Sequence, residues 1–218
     1  MKKNKLLIAL SIAACSSFVM ADEGINYTLN LKSWNNSFKD STSSASATNS
    51  SIVSFTAKKD VFYLTGSIIL PTTYNFGNGA GLVRRDTDVA VGWMANSNIS
   101  LLGGVKRASV NNYDYSGSFT YNTTSTFNFN YVGVNGFNSI NEKQFIFGTA
   151  TRSINGSRSL SGVKTTGLTY TTLEAGFGHV LSKEAQLTIG YRSQDLKFPD
   201  ASGTVKMGGL IFGGNFSF

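Results

Sequence analysis

A two-residue alternation that recurs ten times narrows what this 218-residue chain can fold into more than any other feature. Ile25, Tyr27, Leu29 and Leu31 alternate with Asn26, Thr28, Asn30 and Lys32, so an extended strand would carry apolar groups on one face and polar groups on the other. The pattern returns at Val53–Ala57, Phe62–Leu70, Val89–Trp93, Ile99–Val105, Phe127–Tyr131, Phe145 with Phe147, Leu173–Phe177, Leu187–Tyr191 and Leu210–Phe218. Each run reads as a strand of about nine to eleven residues, the length a tilted strand needs to cross hydrocarbon. No apolar stretch after Gly24 reaches the roughly 18 residues of a helical span. Charged residues are only 14% of the chain, where soluble domains carry about 25%. The single Cys rules out a disulfide framework, and one His with one Cys leaves no zinc-ligating cluster, so no metal or cofactor is expected.

The connectors alternate in length. Short ones fall at 58–60, 95–98, 138–143 and 180–185; long ones at 35–49, 71–86, 108–125, 155–167 and 197–203. Short turns on one side, longer loops on the other and an even strand number predict an all-β fold: a transmembrane up-and-down antiparallel β-barrel with both termini on the periplasmic side. The count is ten strands, with eight or twelve as the alternatives a misread hairpin would give. Both prolines, Pro71 and Pro199, fall in predicted loops, as expected of a residue that cannot donate to a ladder.

The N-terminus carries an export pattern. Lys2, Lys3 and Lys5 precede an apolar run from Leu6 to Ala14, and Val19-Met20-Ala21 offers a cleavage site. Residues 1–21 are therefore expected to be a signal peptide and 22–218 the barrel domain, exported to the outer membrane of a Gram-negative bacterium. Ile12-Ala13-Ala14-Cys15 offers a rival lipobox that would lipidate Cys15. Export also argues against a nucleic-acid partner.

The end of the chain, Gly208-Gly209-Leu210-Ile211-Phe212-Gly213-Gly214-Asn215-Phe216-Ser217-Phe218, resembles the C-terminal signature of bacterial outer-membrane proteins. The match is close over these eleven residues and is one of pattern elsewhere. The resemblance implies that Phe212, Phe216 and Phe218 form the signal read by the barrel-assembly machinery.

Strand parity assigns the charges. Lys32, Asp88, Lys106, Arg152, Glu174 and Arg192 fall opposite the apolar residues, hence toward the lumen, where charges persist only when paired. A network centred on Glu174 with Arg192 and Arg152 is expected. It reads either as a plug of ion pairs or as the lining of a narrow channel, since ten strands enclose little more space than eight. Tyr27, Phe62, Trp93, Phe145, Phe177 and Phe216 are expected to form an outward aromatic girdle on the turn side, with Trp34, Tyr121 and Tyr170 at the opposite rim. In the long loops, Arg84, Arg85, Arg107, Arg158 and Lys164 with Tyr113 and Tyr115 would contact lipopolysaccharide phosphates, acidic glycans or a host surface.

Catalytic constellations are weak. His179, the only histidine, falls at a predicted periplasmic turn; Ser182 or Ser193 with Glu174 or Glu184 would complete a triad only by virtue of abundant hydroxyls. Ser161-Gly162-Val163-Lys164 fits S-x-x-K but shares its lysine with the approximate K-T-G that follows. The expected function is a non-enzymatic surface barrel whose partners are outer-membrane lipid, lipopolysaccharide and a glycan or host surface. The alternative is a narrow passive channel for ions or small solutes.

Overall fold

Alternation of this kind leaves every strand with two neighbours to find, and the chain solves that by closing the sheet on itself. The computed structural model describes residues 24–41, 43–77, 79–115, 119–199 and 203–218, with the side chains at 46–48, 113–115 and 119–122 outside the description. Residues 1–21, expected to be a signal peptide, and Cys15 among them also lie outside the described residues. Eleven strands follow in order: β1 (Ile25–Lys39), β2 (Ser44–Lys59), β3 (Phe62–Gly77), β4 (Ala80–Met94), β5 (Ile99–Tyr115), β6 (Phe119–Ser139), β7 (Gln144–Leu160), β8 (Val163–Thr166), β9 (Thr169–Val180), β10 (Ala185–Lys197) and β11 (Thr204–Ser217). Each pairs antiparallel with the next, except that β8 and β9 both pair with β7, and β11 returns to β1 in a register running from Thr28 opposite Ser217 to Lys39 opposite Lys206. β8 and β9 lie in series along β7, separated by Gly167 and Leu168, so the circumference counts ten strands. Closure gives each of the ten circumferential strands a neighbour on both sides over part of its length, while the short β8 pairs with β7 alone.

One end carries uniform turns. Ala95, Ile140 and Leu181 each donate a backbone bond to the carbonyl four residues on, at Ile99, Gln144 and Ala185. The other end carries hairpins. Ser161 and Gly162 both have positive φ, as a tight two-residue hairpin turn demands.

The strands are longer than the sequence suggests, from 12 residues in β9 to 21 in β6, setting aside the short β8. Most of the expected long loops are strand. The physical reason is an inversion of polarity part-way up the wall. In the turn-side half, apolar side chains such as Leu64, Val91, Leu101, Val134, Leu173 and Leu187 are exposed on the outside, while many inward positions, such as Thr28, Asn30, Lys32, Thr65 and Ser67, are small or polar. In the hairpin-side half the sense reverses: Trp34, Phe38, Leu82, Phe127, Phe129 and Tyr170 are buried inside, and Asn35, Ser37, Arg85, Arg107, Asn128 and Lys206 are exposed outside. Ser-, Thr- and Asn-rich outward faces made these segments look like loop, although the alternation never stopped.

Three expectations are corrected by this parity. Phe127, Phe129 and Tyr131 face the interior, buried against Tyr170 and its neighbours. Phe145 is inward and its ring covers Gly178, where no Cβ would fit. Trp34 and Tyr170 are interior residues, not rim anchors. Pro71 lies within β3, exposed, at a register shift between Ile69 and Thr72, where the ladder skips the donor that proline lacks. Pro199 stands in the β10–β11 connector as expected.

Candidate functional site

Arg84, Asp86 and Asp88 occupy alternate positions on β4, so all three side chains enter the barrel. Asp86 is held in a fork by Arg84, Nε to Oδ1 and Nη2 to Oδ2 at 2.7 Å each, and Lys106 Nζ from β5 approaches Oδ2 at 2.8 Å. Arg84 also reaches Gln194 on β10 and Met207 on β11, which ties opposite walls together. Asp88 accepts a hydrogen bond from the Tyr131 hydroxyl at 2.5 Å.

A second cluster forms around Glu174 on β9. Lys32 Nζ lies 2.6 Å from one carboxylate oxygen and Arg192 Nη1 3.1 Å from the other. Arg192 stands over the Trp34 ring at 5.5 Å and Lys106 over the Tyr170 ring at 5.3 Å. On β9 and β10 the groups met by the partners of Asp86, Tyr170 by Lys106 and Gln194 by Arg84, are nearer the hairpin end than Glu174 and Arg192. The two clusters therefore stack along the axis as a charged waist. Around it, among the described residues, four buried donors have no protein acceptor: Trp34 Nε1, the Tyr170 hydroxyl, Gln194 Nε2 and Arg192 Nε.

Above the waist, toward the hairpins, the barrel opens into a chamber of about 520 Å³. Its walls are apolar, from Phe38, Phe76, Leu82, Phe127, Phe129 and Phe198, and Arg84 and Tyr170 line it as well. Arg158 enters from β7: Nε and Nη2 both donate to Ser125 Oγ, at 3.2 and 3.0 Å, and the guanidinium lies 5.8 Å from the rings of Phe127 and Phe198. Below the waist a smaller polar vestibule of about 320 Å³ opens at the turn end, lined by Asn26, Lys58, Tyr63 and Asn135 among others.

The sequence-predicted residues divide as follows. Lys32, Glu174 and Arg192 come together, and Lys106 and Asp88 are inside with them. Arg152 is not: it is exposed on the outer wall beside Val132, because β7 presents Phe147, Thr149, Thr151 and Ser153 inward. The expected pairing with Glu174 is thereby excluded. Arg84 is buried in the waist and is not a loop residue. Arg158 faces the chamber mouth, while Arg85 and Arg107 are exposed on the outer wall and Lys164 on β8. Tyr113 and Tyr115 fall in β5, their side chains outside the description. Phe212 and Phe216 face outward on β11, and Phe218 exchanges backbone bonds with Tyr27. His179 is exposed at the turn end of β9, and Ser182 donates to Glu184 within the adjacent turn.

Asp86, the centre of the upper cluster, falls by sequence at the end of a long connector, as a rim charge, and the structure instead buries it in the waist. The signal was present: stepping back by twos from Asp88 gives Asp86, Arg84 and Leu82, all opposite Val89 and Val91.

A scan against protein-family models finds no match, and a search of curated proteins finds none either. Among solved structures, the chain is similar to the outer membrane protease OmpT of Escherichia coli, at 12% identity over 90% of this chain and 97% of that one, with a TM-score of 0.55. It also aligns with the translocator domain of the autotransporter NalP from Neisseria meningitidis, at 10% identity over 99% and 96% of the two chains with a TM-score of 0.49. The toluene transporter TodX of Pseudomonas putida aligns at 11% identity over 85% and 67%, with a TM-score of 0.35. Only the first likeness is strong enough to argue from, and at such identity it speaks of fold alone. The chain has the closed ten-stranded antiparallel fold of a bacterial outer-membrane β-barrel.

Proposed function

We propose that this chain is an integral barrel of a Gram-negative outer membrane, closed at its waist by its own side chains, which works by binding at its cell-surface end and not as an enzyme or a channel. The observation that carries the reading is burial. Asp86 is 1% exposed, Gln194 0% and Glu174 7%, so the carboxylates at the centre of the waist are shielded from solvent. A ten-stranded lumen is narrow enough for side chains to fill. Arg84 and Lys106 span that space by contacting opposite walls.

The outer wall supports the membrane reading. Exposed Leu, Val, Ile and Phe form an apolar band on the turn-side half. Arg85, Arg107 and Arg152 project outward where that band gives way to polar residues, a level suited to the phosphates of lipopolysaccharide. The export signal, the machinery that would read Phe212, Phe216 and Phe218, and a glycan or host contact at the hairpins belong to the same reading.

Conductance decides between this and the passive channel. The barrel, refolded into planar bilayers and checked by heat-modifiable mobility in SDS gels, is expected to be silent. Reproducible openings whose ion selectivity changes in Glu174→Gln would overturn closure and make the two carboxylate clusters a filter.

A further inference from the structure

The chamber above the waist has a composition that a mere structural filler does not need. Its volume, about 520 Å³, is in the range of small-molecule sites, and its walls combine many apolar side chains with a few convergent polar groups. Two of those polar groups are incomplete. Arg158 is half-buried, and among the described residues no carboxylate lies within ion-pairing distance of it; its partners are one serine hydroxyl and two aromatic faces. Tyr170 is 3% exposed, lines the chamber and has a hydroxyl with no protein partner among the described residues. Charge points the same way. Arg84, Lys106, Lys32 and Arg192 face Asp86, Asp88 and Glu174 at the waist, and Arg158 adds a further cation to that excess. Asp40 also lines the chamber, at its mouth, where its carboxylate accepts from the Ser43 backbone.

We infer that the chamber is a binding site for a small amphipathic anion, an apolar body bearing one carboxylate, whose head is held by Arg158 and whose body lies against Phe127, Phe129, Phe198 and Leu196. Guanidinium is suited to such a head because it presents paired donors in one plane and stays charged when half-buried. An apolar wall alone would favour a neutral body equally; the unpaired cation is what sets the preference for an anion. The inference rests on the closed-barrel reading, since the waist supplies the chamber's floor. It leaves open whether the body is an acyl chain or an aromatic ring, which share this chemistry.

The test uses the full barrel in phosphatidylcholine nanodiscs. Carboxyl-labelled dodecanoate and 4-phenylbutyrate are titrated and followed by the carbon resonance of the carboxylate, which separates a protein site from simple partition into lipid. Dodecanol and dodecyltrimethylammonium serve as neutral and cationic competitors. Saturable binding of at least one of the two carboxylates is expected, and the stronger of them identifies the body. Arg158→Gln should weaken it about tenfold or more, the worth of one charge-assisted contact, and Arg158→Lys should restore much of the loss. Heat-modifiable mobility checks that each variant has folded. Equal competition by dodecanol, indifference to Arg158→Gln, or no saturable binding of either carboxylate would overturn the inference. A barrel that binds neither carboxylate yet stays electrically silent loses only the ligand; one that conducts loses the closed waist itself.

Discussion

Arg84 and Arg85 are adjacent in sequence and lie on opposite sides of the barrel wall, one in a buried fork with Asp86 and the other in solvent. That single step of parity decides the energetic weight of each. Removing one partner from a buried ionic cluster leaves the others without a counter-charge, at a cost of roughly 3–5 kcal/mol. Asp86→Asn should therefore lower the unfolding free energy by about that amount, read as a shift of the urea midpoint followed by tryptophan fluorescence. Glu174→Gln should cost less, because its partners Lys32 and Arg192 keep 20% and 17% of their side-chain exposure where Arg84 and Lys106 keep 10% and 4%. Equal losses would mean that the two clusters are equally dry. Gly209 presents a different constraint: a Cβ there would run into the carbonyl oxygen of Asn35 across the β1–β11 seam. Gly209→Ala should destabilise by about 1–3 kcal/mol, as overpacking does, and unchanged stability would show that the seam yields. Residues such as Lys32, Glu174 and Arg192 were legible in the sequence because they lie in the turn-side half of their strands, opposite the outward Leu31, Leu173 and Tyr191. Arg152 was not, because nothing in Phe145, Phe147 and Ala150 says which face of β7 is apolar.

Along a strand, the informative event is the change of side. Leu173 and Phe177 face out while Leu168 and Tyr170, of the other parity, face in; Leu101 and Val105 face out while Ala108 faces in. Read as two consecutive alternations of opposite sense, these segments would have announced full-length strands. Read for one sense only, they ended early and left long loops. Bulges hide the rest: β6 and β7 slip register between Asn130 and Tyr131, so that Ser153 and Gly156 are both buried with Ile154 and Asn155 exposed between them. The level of the inversion can be measured. Arginine on a lipid-facing position costs about 2–4 kcal/mol near the bilayer midplane and about 0–1 near its edge. Val134→Arg, within the apolar band, should show the larger figure on unfolding from lipid, and Ile154→Arg, on the polar side of the inversion, the smaller. Similar costs would place both residues in the same medium.

At the scale of the whole molecule, the number of strands and their closure were legible because they rest on the pattern common to all ten, whereas the chamber was not, because it is assembled from residues far apart in sequence. Phe127, Tyr170, Phe198 and Arg158 meet only once the sheet has closed. The last strand carries a prediction of its own. Phe218 exchanges backbone bonds with Tyr27, which a change of side chain leaves in place. If Phe218 is read by assembly machinery, Phe218→Ala should reduce the folded yield in cells several-fold while spontaneous refolding into liposomes is unchanged; a parallel fall in both would assign the residue to barrel closure instead. The inversion of polarity also sets how this molecule strains its surroundings. On β4 the outward apolar residues are Val89, Val91 and Trp93, and on β10 Leu187, Ile189 and Tyr191, so at about 3.3 Å per residue these stretches are shorter than the roughly 25 Å apolar band usual for such barrels. In the proposed outer membrane, lipid tails beside those strands would shorten to meet them, an elastic cost that falls in a thinner membrane and that two barrels can share by standing side by side.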